Sequence, residues 1–275
     1  MADRDDTDNS RQKASAAYVP PALDRTFLLG DTMRGVRFML EYAKAEEHLR
    51  NWGVRSTLVV FGSARAREDG LGATGAAGAR WYREARRFGT IASQRGGALT
   101  ANGGIRDNVI ATGGGPGVME AANRGASDVG APSIGFNITL PHEQEPNPYS
   151  TPDLTFQFHY FAMRKMHLAM RANGLVVFPG GFGTMDELFE VLTLRQTGKA
   201  PRVPVVLVDK DYWTTTINFP AMVEAGVIEP GDLGHFGIAA DAEDAWRCLV
   251  DRGLAVAGRA DGVDAGDVAP DPPAA

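Results

Sequence analysis

The chain has 275 residues, 44% hydrophobic and 23% charged, enough to bury a sizeable core in one large α/β domain or two smaller ones. Its 28 Lys+Arg against 34 Asp+Glu give a formal charge of -6, which argues against a non-specific nucleic-acid binder while leaving room for a local basic pocket. The single cysteine, Cys248, excludes an internal disulfide framework and fits a cytoplasmic, reducing location, and no apolar run approaches the roughly 20 residues that cross a membrane.

Residues 1–25 are polar, carry Pro20-Pro21, and read as a disordered arm with no secretory signal. A helical extension is expected over 26–54, capped by Asp31, with Met33, Val36, Met39, Leu40 and Ala43 as its apolar stripe. Thr57 to Phe61 reads as a first buried strand running into Gly62-Ser63-Ala64-Arg65. A small glycine–serine loop at the end of a parallel strand is a usual place for ligand contact, and equally a plain structural turn. A helix over about 74–95 follows, with Trp81, Ala85, Phe88 and Ala92 on one face. Val109 to Thr112 is the second strand. It enters Gly113-Gly114-Gly115-Pro116-Gly117, a potential N–H-lined concavity at the start of an alanine-rich helix. The dinucleotide fingerprint is not matched, because the glycines follow the second strand and the expected acidic residue is missing.

Ile134 to Ile138 is a further strand, His142 to Ser150 a loop rich in Pro, Glu and Asn, and Leu154 to Tyr160 a short alternating strand. The helix from Phe161 to Met170 carries a core stripe of Met163, Met166, Ala169 and Met170. Arg164 and Lys165 lie off that stripe, as a solvated basic face or as ligand contacts. Leu175 to Phe178 is a strand buried on both faces, followed by Pro179-Gly180-Gly181-Phe182-Gly183 and a helix for which Thr184 can be the cap. Such a helix start offers free amides and the positive end of a dipole to a phosphate. Asp186, Glu187 and Glu190 place carboxylates one turn further in.

On this helix Met185, Leu188, Phe189 and Leu192 share the face expected to pack on the sheet. Val191 and Leu194 fall opposite and need a second cover, with Glu187 between the two sides. A carboxylate so placed needs a partner or a ligand. Val203 to Val208 is another buried strand. After it come a helical region with Tyr212, Trp213, Phe219 and Met222, a short strand Gly237 to Ala240, and a last helix capped by Asp241. The Ala/Gly/Asp/Pro tail at 253–275 reads as disordered. Strands alternating with helices predict a Rossmann-like α/β fold, a parallel sheet with helices on both faces, as a single domain over 55–252.

Gly113-Gly114-Gly115-Pro116-Gly117-Val118-Met119-Glu120, with Pro179-Gly180-Gly181-Phe182-Gly183-Thr184-Met185-Asp186-Glu187, resembles the paired signature of the LONELY GUY (LOG) family, formerly labelled lysine decarboxylase-like. The segment around Arg164-Lys165 resembles the family pattern between them. The resemblance covers roughly residues 55–250. It implies a phosphoribohydrolase that cleaves the N-glycosidic bond of purine nucleoside 5'-monophosphates such as AMP or cytokinin riboside monophosphates. Free base and ribose 5-phosphate would be the products, as in an AMP nucleosidase. It also implies Arg164 and Glu187 as the essential pair. Gly62, Ser63, Gly114, Gly115, Lys165, Gly180, Gly181, Gly183, Thr184 and Glu190 are then expected to bind substrate, with no cofactor and no metal.

The resemblance favours a homodimer or dimer-based oligomer. The alternative cover for Val191 and Leu194 is the N-terminal helix within one chain. Two other classes stay open. One is a non-catalytic nucleotide- or molybdenum-cofactor-binding protein on the same fold. The other is a pyridoxal-phosphate decarboxylase, for which Lys165 would be the nearest Schiff-base candidate.

Overall fold

A computed structural model of the chain describes residues 8–99, 104–140, 145–199 and 203–256. The first helices are α1 (Ser10–Lys13), α2 (Arg25–Leu29) and α3 (Arg34–Asn51). The alternating body is β1 (Thr57–Phe61), α4 (Gly75–Gly96), β2 (Val109–Thr112), α5 (Val118–Ser127), β3 (Ser133–Ile138), β4 (Thr155–Phe158), α6 (Phe161–Met170), β5 (Ala172–Val177) and α7 (Phe182–Gln196). It closes with β6 (Val205–Val208), α8 (Lys210–Thr216), α9 (Phe219–Glu224), β7 (Phe236–Ala239) and α10 (Ala242–Asp251).

The strands form one parallel sheet in the order β4-β3-β2-β1-β5-β6-β7. The chain therefore builds outward from β1 in one direction, then returns to start again at β5 on the other side. Loops leaving the C-terminal ends of β1 and β5 diverge there, which opens a crevice above the sheet. β1, β2 and β6 are buried along their whole length, as their apolar runs predict for strands covered on both faces. Alternation along β1 sends Leu58 towards Leu249 of α10, while Val59 and Phe61 line a narrow apolar cavity walled by α6 and α7.

Several expectations about helices are corrected. The buried residues of α6 are His167 and Leu168, whereas Ala169 and Met170 of its expected core stripe are exposed. The inner face of α3 is Ala45, Glu46 and Leu49, with Phe38 and Tyr42 half-buried, while Met39 and Leu40 are exposed. Asp31 does not cap α3, whose N-cap is Met33; the acidic cap nearby is Asp24, which accepts from the Phe27 amide at the start of α2. Thr184 is not the cap of α7 either. That helix starts two residues earlier, with Gly181 as N-cap, and Thr184 lies inside its first turn.

The facing of α7 also differs. Its buried residues are Thr184, Glu187 and Leu188, and Val191 and Leu194 continue that side into the cavity over the sheet. Of the expected face, Leu188 is fully buried and Met185, Phe189 and Leu192 are half-buried against the core, with Phe189 beside the Phe219 ring at 6.4 Å; Met185 and Phe189 also border an open groove. The spacing 184, 187, 188, 191 is a normal inner stripe. Its second position is a carboxylate, so a count of apolar side chains rotates the helix. α3 packs on α6 rather than on α7. Asp241 does cap α10, accepting from the Asp244 amide at 2.9 Å. Of the expected arm, residues 8–23 are exposed and carry short helical turns; the first part of the loop from His142 and most of the tail at 253–275 lie outside the described residues.

Candidate active site

Three glycine-containing loops meet at the strand ends. The Ser63 amide donates to the Pro179 carbonyl at 2.9 Å, and the Ser63 carbonyl accepts from the Val118 amide at 3.1 Å. The turn after β1 is thereby tied to both the β5 and the β2 loops. Glycine is needed at the seams. Gly117 has φ +74, and a Cβ there would lie 2.3 Å from the Ser63 carbonyl oxygen; a Cβ on Gly180 would lie 2.1 Å from Thr184 Oγ1. Gly62 is pressed against Val118 at the same seam.

The β2 loop is held from behind by residues the sequence reading left unassigned. Thr112 Oγ1 accepts from the Gly114 amide at 3.0 Å and donates to Asn123 Oδ1 at 2.7 Å. Asn147 Nδ2 donates to the carbonyls of Gly114 (3.0 Å) and Gly115 (3.2 Å) and to Asn123 Oδ1 (3.0 Å). Asn147 comes from the Pro/Glu/Asn-rich segment. Its one sequence signal is an amide side chain in an otherwise featureless loop. On the β5 side, the Tyr212 hydroxyl donates to the Gly180 carbonyl at 2.5 Å. The amides of Gly181, Phe182, Gly183 and Thr184 take no backbone or capping partner among the described residues. They are the free donors expected at a helix start.

Beside these loops, α6 and α7 bring two charged pairs together. Arg164 Nη2 donates to Glu187 Oε1 at 3.0 Å, with the side chains only 14% and 5% exposed. The guanidinium carbon sits 5.3 Å from the Phe161 ring centroid, and Arg164 Nη1 comes close to Gly113 of the β2 loop. Arg164 Nε is buried without a partner, so the fork has a donor to spare. Burial pushes the Glu187 carboxyl above the ordinary glutamate value; the Arg164 and Lys165 charges pull it back only in part.

Lys165 Nζ meets Asp186 Oδ2 at 2.8 Å and Glu190 Oε2 at 3.0 Å. Burial lowers its pKa, but the two carboxylate hydrogen bonds outweigh it and leave the ammonium above the ordinary lysine value. Lys165 and Glu190 line the cavity that also holds Glu187, and they border the open groove outside α7 as well. The sequence-predicted residues thus fall into two groups. Gly62, Ser63, Gly114, Gly115, Gly180, Gly181, Gly183 and Thr184 form or border the loops, with Arg164 and Glu187 beside them; Lys165 and Glu190 share the cavity with Glu187.

Residues 119–249 match a family profile described as "Possible lysine decarboxylase". Among curated proteins, the chain is similar to the cytokinin riboside 5'-monophosphate phosphoribohydrolase LOG7 of Arabidopsis thaliana, 39% identical over 69 residues, 24% of this chain and 31% of that one. It is similar to LOG3 of the same plant, with the same activity in its name, at 29% identity over 127 residues, 45% of this chain and 57% of that one. The chain therefore spans only part of the length of these relatives. Among solved structures, the molybdenum cofactor binding protein of the phototrophic bacterium Rippkaea orientalis aligns with TM-score 0.46 and 19% identity, over 72% of this chain and 96% of that one. The profile match over residues 119–249 and the named relatives thus make the chain similar to the LONELY GUY (LOG) family.

Proposed function

We propose that the protein hydrolyses the N-glycosidic bond of a purine nucleoside 5'-monophosphate, AMP or a cytokinin riboside 5'-monophosphate, giving free base and ribose 5-phosphate. The observation that carries this reading is the buried Arg164–Glu187 pair at 3.0 Å beside three interlocked glycine loops. Breaking the bond between C1' and the base builds positive charge on the ribose and negative charge on the base. A carboxylate beside C1' stabilises the first and can take a proton from the attacking water. Its raised pKa brings its basicity closer to that task.

A guanidinium offers five N–H donors and no acceptor, so the spare N–H groups of Arg164 hydrogen-bond the departing base or the sugar. The free amides at the start of α7 and the β2 loop hold the 5'-phosphate. They supply binding energy away from the reacting bond, which positions C1'. The decarboxylase description finds little support at Lys165: an ammonium shared by two carboxylates is a poor amine nucleophile for a Schiff base.

The reading extends to a homodimer. Phe182 is 96% exposed, and Phe161 and Met170 are about half exposed, so large apolar side chains stand on the surface of α6 and α7 next to the charged pair. A second copy of the same surface would cover it. The test of the activity is release of adenine from AMP with ribose 5-phosphate formed in equal amount, over a panel of nucleoside monophosphates and the free nucleosides. Nucleotide binding without any base release would leave a binding protein on this fold.

A further inference from the structure

Among the described residues the Tyr212 hydroxyl is the one side-chain group that hydrogen-bonds the β5 glycine turn, and an unusual arrangement holds it in place. Asp209, at the end of β6, has φ +79, a left-handed conformation that a non-glycine residue adopts only under constraint. It is 8% exposed and accepts from the Arg80 guanidinium, from Trp81 Nε1 at 2.7 Å and from the Tyr212 amide at 3.4 Å. The Tyr212 ring lies edge-on to Trp81 (5.8 Å) and Trp213 (5.1 Å). α4, β6 and α8 thus combine to aim one hydroxyl at one carbonyl, that of Gly180.

A peptide unit is planar and trans, so its C=O and N–H point in opposite directions. Fixing the Gly180 carbonyl on Tyr212 therefore fixes the Gly181 N–H on the far side, where Gly181 is exposed and its amide has no partner. Glycine at both positions would otherwise let this peptide rotate at little cost. Asn147 does the same for the β2 loop by holding the Gly114 and Gly115 carbonyls.

We propose that Tyr212 is a positioning residue for the phosphate end of the substrate: it sets the Gly180–Gly181 peptide so that the Gly181 amide meets the anion. This rests on the phosphoribohydrolase reading, and it concerns phosphate recognition rather than bond cleavage. The test is Tyr212→Phe, which removes one oxygen and keeps the ring. Binding of ribose 5-phosphate and of adenine is measured by calorimetry on parent and variant, with KM and kcat for AMP alongside. The expected result is ribose 5-phosphate affinity weakened about tenfold, the scale of one lost hydrogen bond. Adenine affinity stays unchanged, KM rises in step, and kcat stays within about threefold.

Ribose 5-phosphate affinity within twofold of the parent overturns the assignment. So does an equal loss for adenine, or loss of the melting transition, because the hydroxyl would then hold the fold rather than the turn. A parent that binds no ribose 5-phosphate also overturns it. A parent that binds ribose 5-phosphate but releases no base from any nucleotide overturns the hydrolase reading alone and leaves the Tyr212 assignment standing.

Discussion

Glu187 and Arg164 are separated by 23 positions in the chain and by 3.0 Å in space, and neither is solvated enough to be an ordinary surface pair. Removing the carboxylate's charge should stop chemistry while leaving the loops intact. Glu187→Gln is expected to keep the fold and nucleotide binding and to lower kcat by roughly two to four orders of magnitude, the usual range for a positioned acid–base group. Steady-state kinetics check this, and turnover within threefold of the parent would remove Glu187 from the mechanism. The sign of the pH dependence follows from burial. The carboxylate must be ionised to act, and its pKa lies above the ordinary value of 4.5, so the acid limb of kcat sits higher than an unperturbed glutamate would place it. At Arg164 the shape of the fork matters as well as its charge. Arg164→Ala should be nearly inactive and Arg164→Lys should recover little of the rate, because an ammonium cannot present two coplanar donors. Recovery to near the parent rate by lysine would mean that charge alone is required.

At the scale of elements, α6 is the part that must not move, since it carries Arg164. No side chain of its own caps it; Glu41 of α3 does so instead, accepting from the His159 amide at 2.8 Å and the Tyr160 amide at 3.3 Å. A carboxylate at a helix N-terminus also interacts favourably with the dipole. Arg37 of α3 adds a bond to the Tyr160 hydroxyl at 2.9 Å. Further along α6, His167 is 1% exposed, surrounded by Tyr42, Phe136 and Phe158, and neither ring nitrogen meets a partner in hydrogen-bonding geometry. Burial pushes its pKa below the ordinary 6.5, so the folded protein holds it neutral. The unfolded chain then binds more protons. The stability His167 contributes is full above about 6.5 and is lost as pH falls below it towards the folded value. His167→Phe should flatten the fall in thermal stability between about pH 6.5 and 5, read as Tm against pH. An unchanged slope would show that the ring takes up its proton over the same pH range in the folded and unfolded chain. Glu46, held by Arg171 and Arg50, has its pKa lowered to about 2, so its contribution is lost only in more acidic solution and does not blur the test.

For the whole molecule, the strand order decides what the loops can do. Only because β1 lies between β2 and β5 do the three glycine turns meet. The same order puts α6 and α7 side by side over β1 and β5, and among the described residues leaves Phe161, Met170 and Phe182 exposed on them. A homodimer through that surface is expected at micromolar concentration, because leaving such side chains wet forfeits about 1.5–3 kcal/mol each. Light scattering checks it; a fully active monomer would show that the α6–α7 surface works uncovered. α3, the alternative cover, is already engaged on α6.

The sequence by itself determined the kind and order of the elements from β1 to α10. Buried strands announce themselves as apolar runs and helices by their period, both local properties. It also determined where the glycine turns fall, and the family resemblance singled out Arg164 and Glu187, which the fold brings to 3.0 Å of each other. Which side of α7 faces inward was not legible, because Glu187 occupies an inner position that an apolar count leaves out. The same limit hid α3, whose inner face includes Glu46 while Met39 and Leu40 lie outside. The supports of the loops were hidden for another reason. Asn147 and Tyr212 act on carbonyls 33 and 32 positions away, at 3.0 and 2.5 Å. Nothing in the sequence around either residue marks such a partner. A hydrogen bond of that kind exists only once the sheet has brought distant strand ends together, so the tertiary structure alone decided it.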